Sequence, residues 1–116
     1  MVYLIPKGDK ENRDYDDLEI KLHLNIGFAD MQLKNYRSAI KEHFNFVLKK
    51  EKGNPKALYR KAKCFMLLDD YNECDNVFEI IKEEIGSDDR EFNKLKKQLE
   101  DRRRKYMNSK LNLSKD

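Results

Sequence analysis

Residues 54–60, Asn-Pro-Lys-Ala-Leu-Tyr-Arg, are the stretch from which the architecture of this 116-residue chain can be worked out. Asparagine followed by proline predicts a helix start, because the asparagine side chain can cap free N–H groups and proline fits the first helical position. In the helix that follows, Lys56 and Arg60 are four residues apart and therefore project from one face. The stretch thus predicts a helix that displays two cations side by side.

This region has a counterpart earlier in the chain, at an offset of 35 residues that aligns Asn25 with Arg60. The offset also relates four further pairs: Gly27 and Ala62, Asn35 and Asp70, Tyr36 and Tyr71, Ala39 and Cys74. Repetition with a period of about 34 residues predicts stacked helix-turn-helix units. Gly27 and Ala62 would then mark the position at which the two helices of each unit approach closely.

The spacing of apolar residues predicts five helices and no strand, and hence an all-α protein. The expected helices cover residues 17–34, 36–51, 56–68, 70–85 and 87–107. In the first helix, the apolar residues that follow helical spacing are Leu18, Leu22, Ile26, Ala29 and Leu33. The chain is accordingly divided into residues 1–16 (the tail of a preceding repeat and a polar loop), 17–52 and 55–86 (two repeats), 87–110 (a capping helix) and 111–116 (a flexible tail).

The composition favours a helical binding domain over several other classes of protein. Apolar residues make up 39% and charged residues 41% of the chain, which suits a repeat protein and is too periodic for disorder. The net charge of +3 is mild, so it suits acidic peptide partners and argues against nucleic acid. The sequence shows no signal peptide or membrane span, and Cys64 and Cys74 are interpreted as reduced core thiols of a cytoplasmic protein.

No catalytic, metal-binding or cofactor-binding pattern is found in the sequence. A nucleophile–base pair and a phosphate-binding loop are both missing from it. His23 and His43 are too few ligands for a metal site and are expected to be packed, partly buried side chains. The chain is therefore predicted to be a binding protein without a cofactor, and not an enzyme.

Three segments resemble the tetratricopeptide repeats of the carboxylate-clamp class, found in co-chaperones of the 90-kDa and 70-kDa heat-shock chaperones. Residues 22–26 (Leu-His-Leu-Asn-Ile) resemble the clamp-asparagine segment, residues 54–61 the clamp Lys/Arg segment, and residues 101–107 (Asp-Arg-Arg-Arg-Lys-Tyr-Met) the end of the capping helix. The match looks closest to the C-terminal domain of large FK-binding immunophilins, which are peptidyl-prolyl isomerases, and to their aryl-hydrocarbon-receptor-interacting relatives. The resemblance implies a solenoid of two repeats with a capping helix.

The resemblance further implies that Asn25, Lys56 and Arg60 form a carboxylate clamp for the acidic C-terminal tail, of Glu-Glu-Val-Asp type, of a heat-shock chaperone. The chemistry of these residues agrees, because an ammonium, a guanidinium and an amide donor suit carboxylates, and a guanidinium can bind one in bidentate fashion. Phe28 and Lys63 could line the same groove. Core packing for Phe28 and an ordinary solvated position for Lys63 are the open alternatives.

Other partners and arrangements also stay open. A complete clamp of this family uses a further repeat, so the chain is expected to be the C-terminal part of a longer protein, with an isomerase domain upstream. The incomplete repeat would expose the apolar face around Leu18, Leu22, Ile26 and Leu33 and favour self-association. The basic residues between 94 and 106 are expected to lie on a helix that seals the last repeat, with calmodulin binding as the alternative that the resemblance to immunophilins implies.

Overall fold

The computed structural model describes residues 9–115 of the chain, and the side chains of residues 14–109. Every regular element within this part of the chain is helical, which confirms the predicted all-α class. The elements are α1 (Asp9–Gln32), α2 (residues 36–50), α3 (Pro55–Leu67), α4 (Tyr71–Glu84) and α5 (Arg90–Lys115). The predicted tail of a preceding repeat at residues 1–6 lies outside the described residues.

Two helices are longer than their sequence patterns predicted. α1 begins at Asp9, so residues 9–16, expected to be a polar loop, are helical. This first part of α1 is almost entirely polar, so it contributes nothing to the apolar spacing from which the helix start was predicted. α5 continues to Lys115, so residues 111–115, expected to be a flexible tail, are helical as well. No glycine or proline follows Gly86 to end that helix.

The turns between paired helices repeat with the offset found in the sequence. Lys34 and Asp69, 35 residues apart, are the two non-glycine residues with a left-handed backbone among those described, with φ of 64° and 59°. In each turn the following N–H donates to a carbonyl five residues back: Asn35 to Asp30 at 2.7 Å, and Asp70 to Phe65 at 2.9 Å. This bonding closes the C-terminus of a helix. The α1–α2 and α3–α4 turns therefore have the same construction.

The helix start predicted at residues 54–55 is confirmed. The Asn54 side chain accepts the N–H of Ala57 at 3.0 Å, and Pro55 is the first residue of α3. At the start of α5, the Asp89 carboxylate accepts the N–H groups of Glu91 and Phe92 at 2.9 and 3.2 Å. A side-chain acceptor at this position satisfies donors that the helix itself leaves unpaired.

α1 and α2 pack closely at Gly27, as the repeat pattern predicted. A Cβ atom on Gly27 would lie 2.6 Å from Cε1 of Phe44 and 3.1 Å from Cβ of His43. The Phe44 ring is fully buried at this contact, and residues Ala39–Phe44 of α2 form a π-helical segment. This wider turn, which the sequence pattern did not show, includes the residues that contact Gly27. Ala62, the counterpart of Gly27, is fully buried too.

The apolar row predicted on α1 lies on the exposed side of the helix, as expected for this face from the sequence. Leu18, Leu22, Ile26 and Leu33 are exposed, and Ile20 and Leu24, which that row does not include, are buried. The buried pair joins a cluster with residues of α2 and α3: Ala39, Ile40, Phe44, Val47, Ala57 and Cys64. α1 is apolar on two sides, and α2 covers only one of them.

A second cluster joins α3, α4 and α5 through Leu58, Ala62, Met66, Cys74, Val77, Phe78, Ile81, Phe92, Leu95 and Leu99. The apolar residues of α5 cover the open side of the α3–α4 pair, which is the sealing role expected for this helix. Ion pairs of Arg102 with Asp69 and of Arg103 with Asp75 hold the far end of α5 against the start of α4.

Cys64 and Cys74 are free, buried thiols, and we expect them to be protected in the folded protein. Burial raises the pKa of each thiol to about 12, so the reactive thiolate is scarce at neutral pH. Labelling with a coloured disulfide reagent should be slow in buffer, and both thiols should react at once in denaturant. Rapid labelling in buffer would contradict the burial of these side chains.

Among the helices described, none has the length and apolar character needed to cross a membrane.

Candidate functional site

Arg60 on α3 is held against α1, next to Asn25. Its Nη1 donates a hydrogen bond to the carbonyl oxygen of Leu24 at 3.1 Å. The guanidinium carbon also lies 4.8 Å from the centre of the Phe28 ring, a cation–π contact. Partial burial lowers the pKa of Arg60, but a guanidinium remains charged at any physiological pH. Contacts with α1 thus fix both the position and the orientation of the Arg60 guanidinium.

Lys56 and Asn25 flank this arginine. Lys56 lies one turn before Arg60 on α3, and Asn25 directly follows the residue whose carbonyl Arg60 contacts. Both side chains are exposed, and neither forms a hydrogen bond or an ion pair within the part of the chain whose side chains are described. The structure therefore brings Arg60 to the turn of α1 that carries Asn25, and leaves the polar groups of Lys56 and Asn25 open to a ligand.

Phe28 is neither a core residue nor a fully exposed one. Its side chain is 43% exposed, and its ring packs against the guanidinium of Arg60. Such a ring fixes the guanidinium and presents an apolar edge to the solvent. Phe28 therefore belongs to the same surface as Asn25 and Arg60.

Lys63 and Arg60 line a small cavity between α3 and α5, with a volume of about 150 Å³. Its remaining walls are Tyr59, Glu91, Lys94, Leu95 and Gln98. Lys63 is half-buried, and its place in this wall leaves its part in a binding groove a prediction. The sequence did not connect Lys94 and Gln98 with Arg60, because α5 was expected to seal the last repeat or to bind calmodulin. Their spacing of four residues on α5 is the signal that could have found them.

Tyr59 fixes α5 beside Arg60. Its hydroxyl donates to the Asp89 carboxylate at 2.6 Å, and the same carboxylate caps α5. The hydrogen bond from Tyr59 lowers the pKa of Asp89, while burial and this bond together raise the pKa of Tyr59 far above its usual range. Because both groups keep their normal protonation states at neutral pH, the link between α3 and α5 persists there.

We call the surface formed by Asn25, Phe28, Lys56, Arg60 and Lys63, together with the cavity, the basic face.

His23 and His43 meet between α1 and α2, away from the basic face. Their Nδ1 atoms are 3.0 Å apart, and His23 stacks on Phe46 with ring centres 3.9 Å apart. His43 Nε2 lies 3.5 Å from the Asp30 carboxylate. Within the part of the chain whose side chains are described, no group of three or more His, Cys, Asp or Glu residues could hold a metal. The histidines are packed and partly buried, as expected.

The arginines near the end of α5 are engaged within the chain. Arg102 contacts Asp69, Arg103 contacts Asp75, and Arg104 lies 3.4 Å from Asp101. These ion pairs reduce the net positive charge that this segment offers to an acidic partner. The basic face is therefore the better candidate site.

No protein-family model matches the chain, and no curated protein has a significantly similar sequence. The function is therefore inferred from the side chains that α1, α3 and α5 bring together.

Proposed function

We propose that the chain is a protein-interaction module that binds an acidic peptide with a free C-terminal carboxylate on its basic face. One observation carries the most weight, namely that Arg60 is held by the Leu24 carbonyl and the Phe28 ring, beside Asn25 and one turn from Lys56. A guanidinium that is already oriented loses less conformational freedom on binding than a free one. The basic face therefore favours binding of an anion at the position toward which the Arg60 guanidinium is oriented.

A terminal aspartate suits this arrangement because it offers two carboxylates at one residue. Arg60 can bind one carboxylate with its remaining N–H groups, Lys56 can neutralise the second, and Asn25 can donate from its amide. Charge-assisted hydrogen bonds contribute about 1.5–3 kcal/mol each, so three contacts are enough for a complex in the micromolar range. Lys63 and Lys94 extend the positive charge along the cavity toward α5, offset in part by the Glu91 carboxylate. Further acidic residues of the peptide would lie beside these two lysines.

The partner proposed for this face is the Glu-Glu-Val-Asp-type tail of a 90-kDa or 70-kDa heat-shock chaperone. The proposal combines the basic face with the resemblance of residues 22–26 and 54–61 to carboxylate-clamp tetratricopeptide repeats. On this proposal the chain is a co-chaperone domain and acts in the cytoplasm as the C-terminal part of an immunophilin-type isomerase. It would bind its partner without catalysing a reaction itself.

The test is a calorimetric titration of the chain with a peptide that ends in Glu-Glu-Val-Asp. We expect binding of the free-acid peptide and a loss of about tenfold or more for the same peptide with an amidated C-terminus, because amidation removes one of two carboxylates. Added salt should weaken the binding of the free acid. Equal affinity for the two peptides, or no binding of either, would contradict the proposal.

A further inference from the structure

α1 carries a second apolar surface that nothing else in the described chain covers. It consists of Tyr15, Leu18, Leu22, Ile26 and Leu33, which we call the leucine stripe; each side chain is between 47% and 71% exposed. Successive members are three, four or seven residues apart, so they form one row along the helix. Five of the eight large apolar side chains that are exposed in the described part of the protein belong to this row.

The leucine stripe takes no part in the packing of α1 onto its own chain. α2 and α3 contact the opposite side of α1, where Ile20 and Leu24 are buried. Soluble monomers seldom expose a contiguous apolar patch of more than a few hundred Å², and larger patches mark interaction sites. The stripe shares no residue with the basic face, although Asn25 lies one turn from Leu22 on α1. An anionic peptide held by Lys56 and Arg60 of α3 would therefore leave most of the stripe uncovered.

We infer that the leucine stripe is a surface through which two copies of this chain associate, with their α1 helices antiparallel about a two-fold axis. The first reason is area. Five large side chains that are each about half exposed offer on the order of 500 Å² per copy, so a pair would bury on the order of 1,000 Å², the lower limit for a specific interface. This area predicts a weak dimer, populated at high concentration.

The second reason is the charge beside the stripe. Asp16 lies 3.7 Å from Nζ of Lys50, and Asp30 accepts a hydrogen bond from Ser38 and lies near His43. These acids are therefore partly compensated within the chain and would not strongly repel a second copy. The other charged side chains described on α1 are Asp14, Asp17, Glu19 and Lys21, so the border of the row is acidic on balance. Such a border disfavours an anionic ligand, and the row itself suits another apolar row better than a charged one.

The third reason is the fit of the row to itself in the antiparallel direction. A two-fold axis midway between Leu22 and Ile26 places each of them opposite the other in the partner. The same axis brings Leu18 near the small Ala29 of the second copy, and Tyr15 near its Leu33. Leu18 therefore faces a small side chain, and the bulkiest contact, Tyr15 with Leu33, lies at the two ends of the row. This arrangement allows the two α1 helices to approach closely.

The experiment is sedimentation equilibrium of the whole chain from about 10 μM to about 1 mM, the range in which a weak interface is populated. The average mass of the natural chain should rise toward that of a dimer with concentration. Leu22→Lys and Ile26→Glu should each weaken association by at least about tenfold, because a charge would be buried against an apolar side chain. Met107→Lys, an exposed apolar residue away from the stripe, is the matched control and should associate like the natural chain.

An equimolar mixture of Leu22→Lys and Ile26→Glu tests the antiparallel register directly. In that register the introduced lysine of one copy faces the introduced glutamate of the other, while the second contact remains isoleucine against leucine. The mixture should therefore dimerise although neither variant does so alone. Failure of the mixture to dimerise would overturn the antiparallel register. A natural chain that stays monomeric at about 1 mM would overturn the inference as a whole.

Thermal unfolding in dilute solution tests whether the leucine stripe is covered by a second copy or by another segment of the same chain, such as residues 1–8. Thermal unfolding of Leu22→Lys at about 10 μM, where the chain is monomeric, should match that of the natural chain, since the stripe is then open to solvent. A lower unfolding temperature of this variant in dilute solution would show that the chain covers its own stripe and would also overturn the inference.

Discussion

Replacement of Arg60 by alanine is expected to weaken binding of the free-acid peptide by about tenfold to a hundredfold. The guanidinium is the most firmly positioned donor on the basic face, held by the Leu24 carbonyl at 3.1 Å and by the Phe28 ring. These same contacts link α3 to α1, so the variant should also lose about 1 kcal/mol of unfolding free energy. Calorimetry with the peptide and denaturant unfolding measure the two effects separately.

Two further variants make this result specific. Arg60→Lys keeps the positive charge but loses the planar fork, so it should recover only part of the affinity. Lys82→Ala removes an exposed lysine of α4, which is paired with Glu79 and away from the basic face, and should leave the affinity unchanged. Natural affinity in Arg60→Ala together with a large loss of stability would show that Arg60 is only a structural residue, and the clamp proposal would then be wrong.

Replacement of Gly27 by valine is expected to destabilise the fold by about 2–3 kcal/mol, through overpacking at the contact of α1 with α2. The first added carbon would lie 2.6 Å from the Phe44 ring, which is fully buried, so any shift of the ring would disturb the side chains packed around it. The gain in helix propensity when glycine is replaced offsets less than about 1 kcal/mol of this cost. Denaturant unfolding of the dilute chain measures the net change.

The partner of the clash can be identified by a double-mutant cycle. Phe44→Leu alone should destabilise the protein because it leaves a cavity, but in the Gly27→Val background its cost should shrink, since the smaller side chain makes room. Ala29→Val is the matched control on the exposed side of α1 and should cost only about 0.5 kcal/mol. Additive effects of Gly27→Val and Phe44→Leu would mean that the two residues do not share this contact.

Local signals in the sequence predicted the helices and turns correctly where one short segment controls the outcome. Asn54 and Pro55 start α3 as expected, because capping involves only atoms within one helical turn. The offset between Gly27 and Ala62 identified the sites of close helix contact, and both are buried. Such features depend on neighbours in sequence, which a pattern records directly.

The candidate site was predictable in part. The same offset placed Asn25 and Arg60 at equivalent positions, and the structure brings Arg60 to the turn of α1 that carries Asn25. The support of Arg60 by Phe28 was not predictable, because it depends on the distance between two helices. Lys94 joins the cavity because α5 packs beside α3 through their shared apolar cluster and the bond from Tyr59 to Asp89.

The sequence by itself determined that this chain is all-helical and where its helices pair. It also determined which residue caps α3 and which small residues lie at the close contacts between helices. Only the tertiary structure decided which side of α1 is buried. Apolar residues occur on two sides of that helix, and spacing alone cannot distinguish them, since both rows follow the helical period. The choice depends on the shape of the partner: Gly27 lets the Phe44 ring approach on one side. Burial of Ile20 and Leu24 on that side leaves Leu18 and Leu22 exposed on the other.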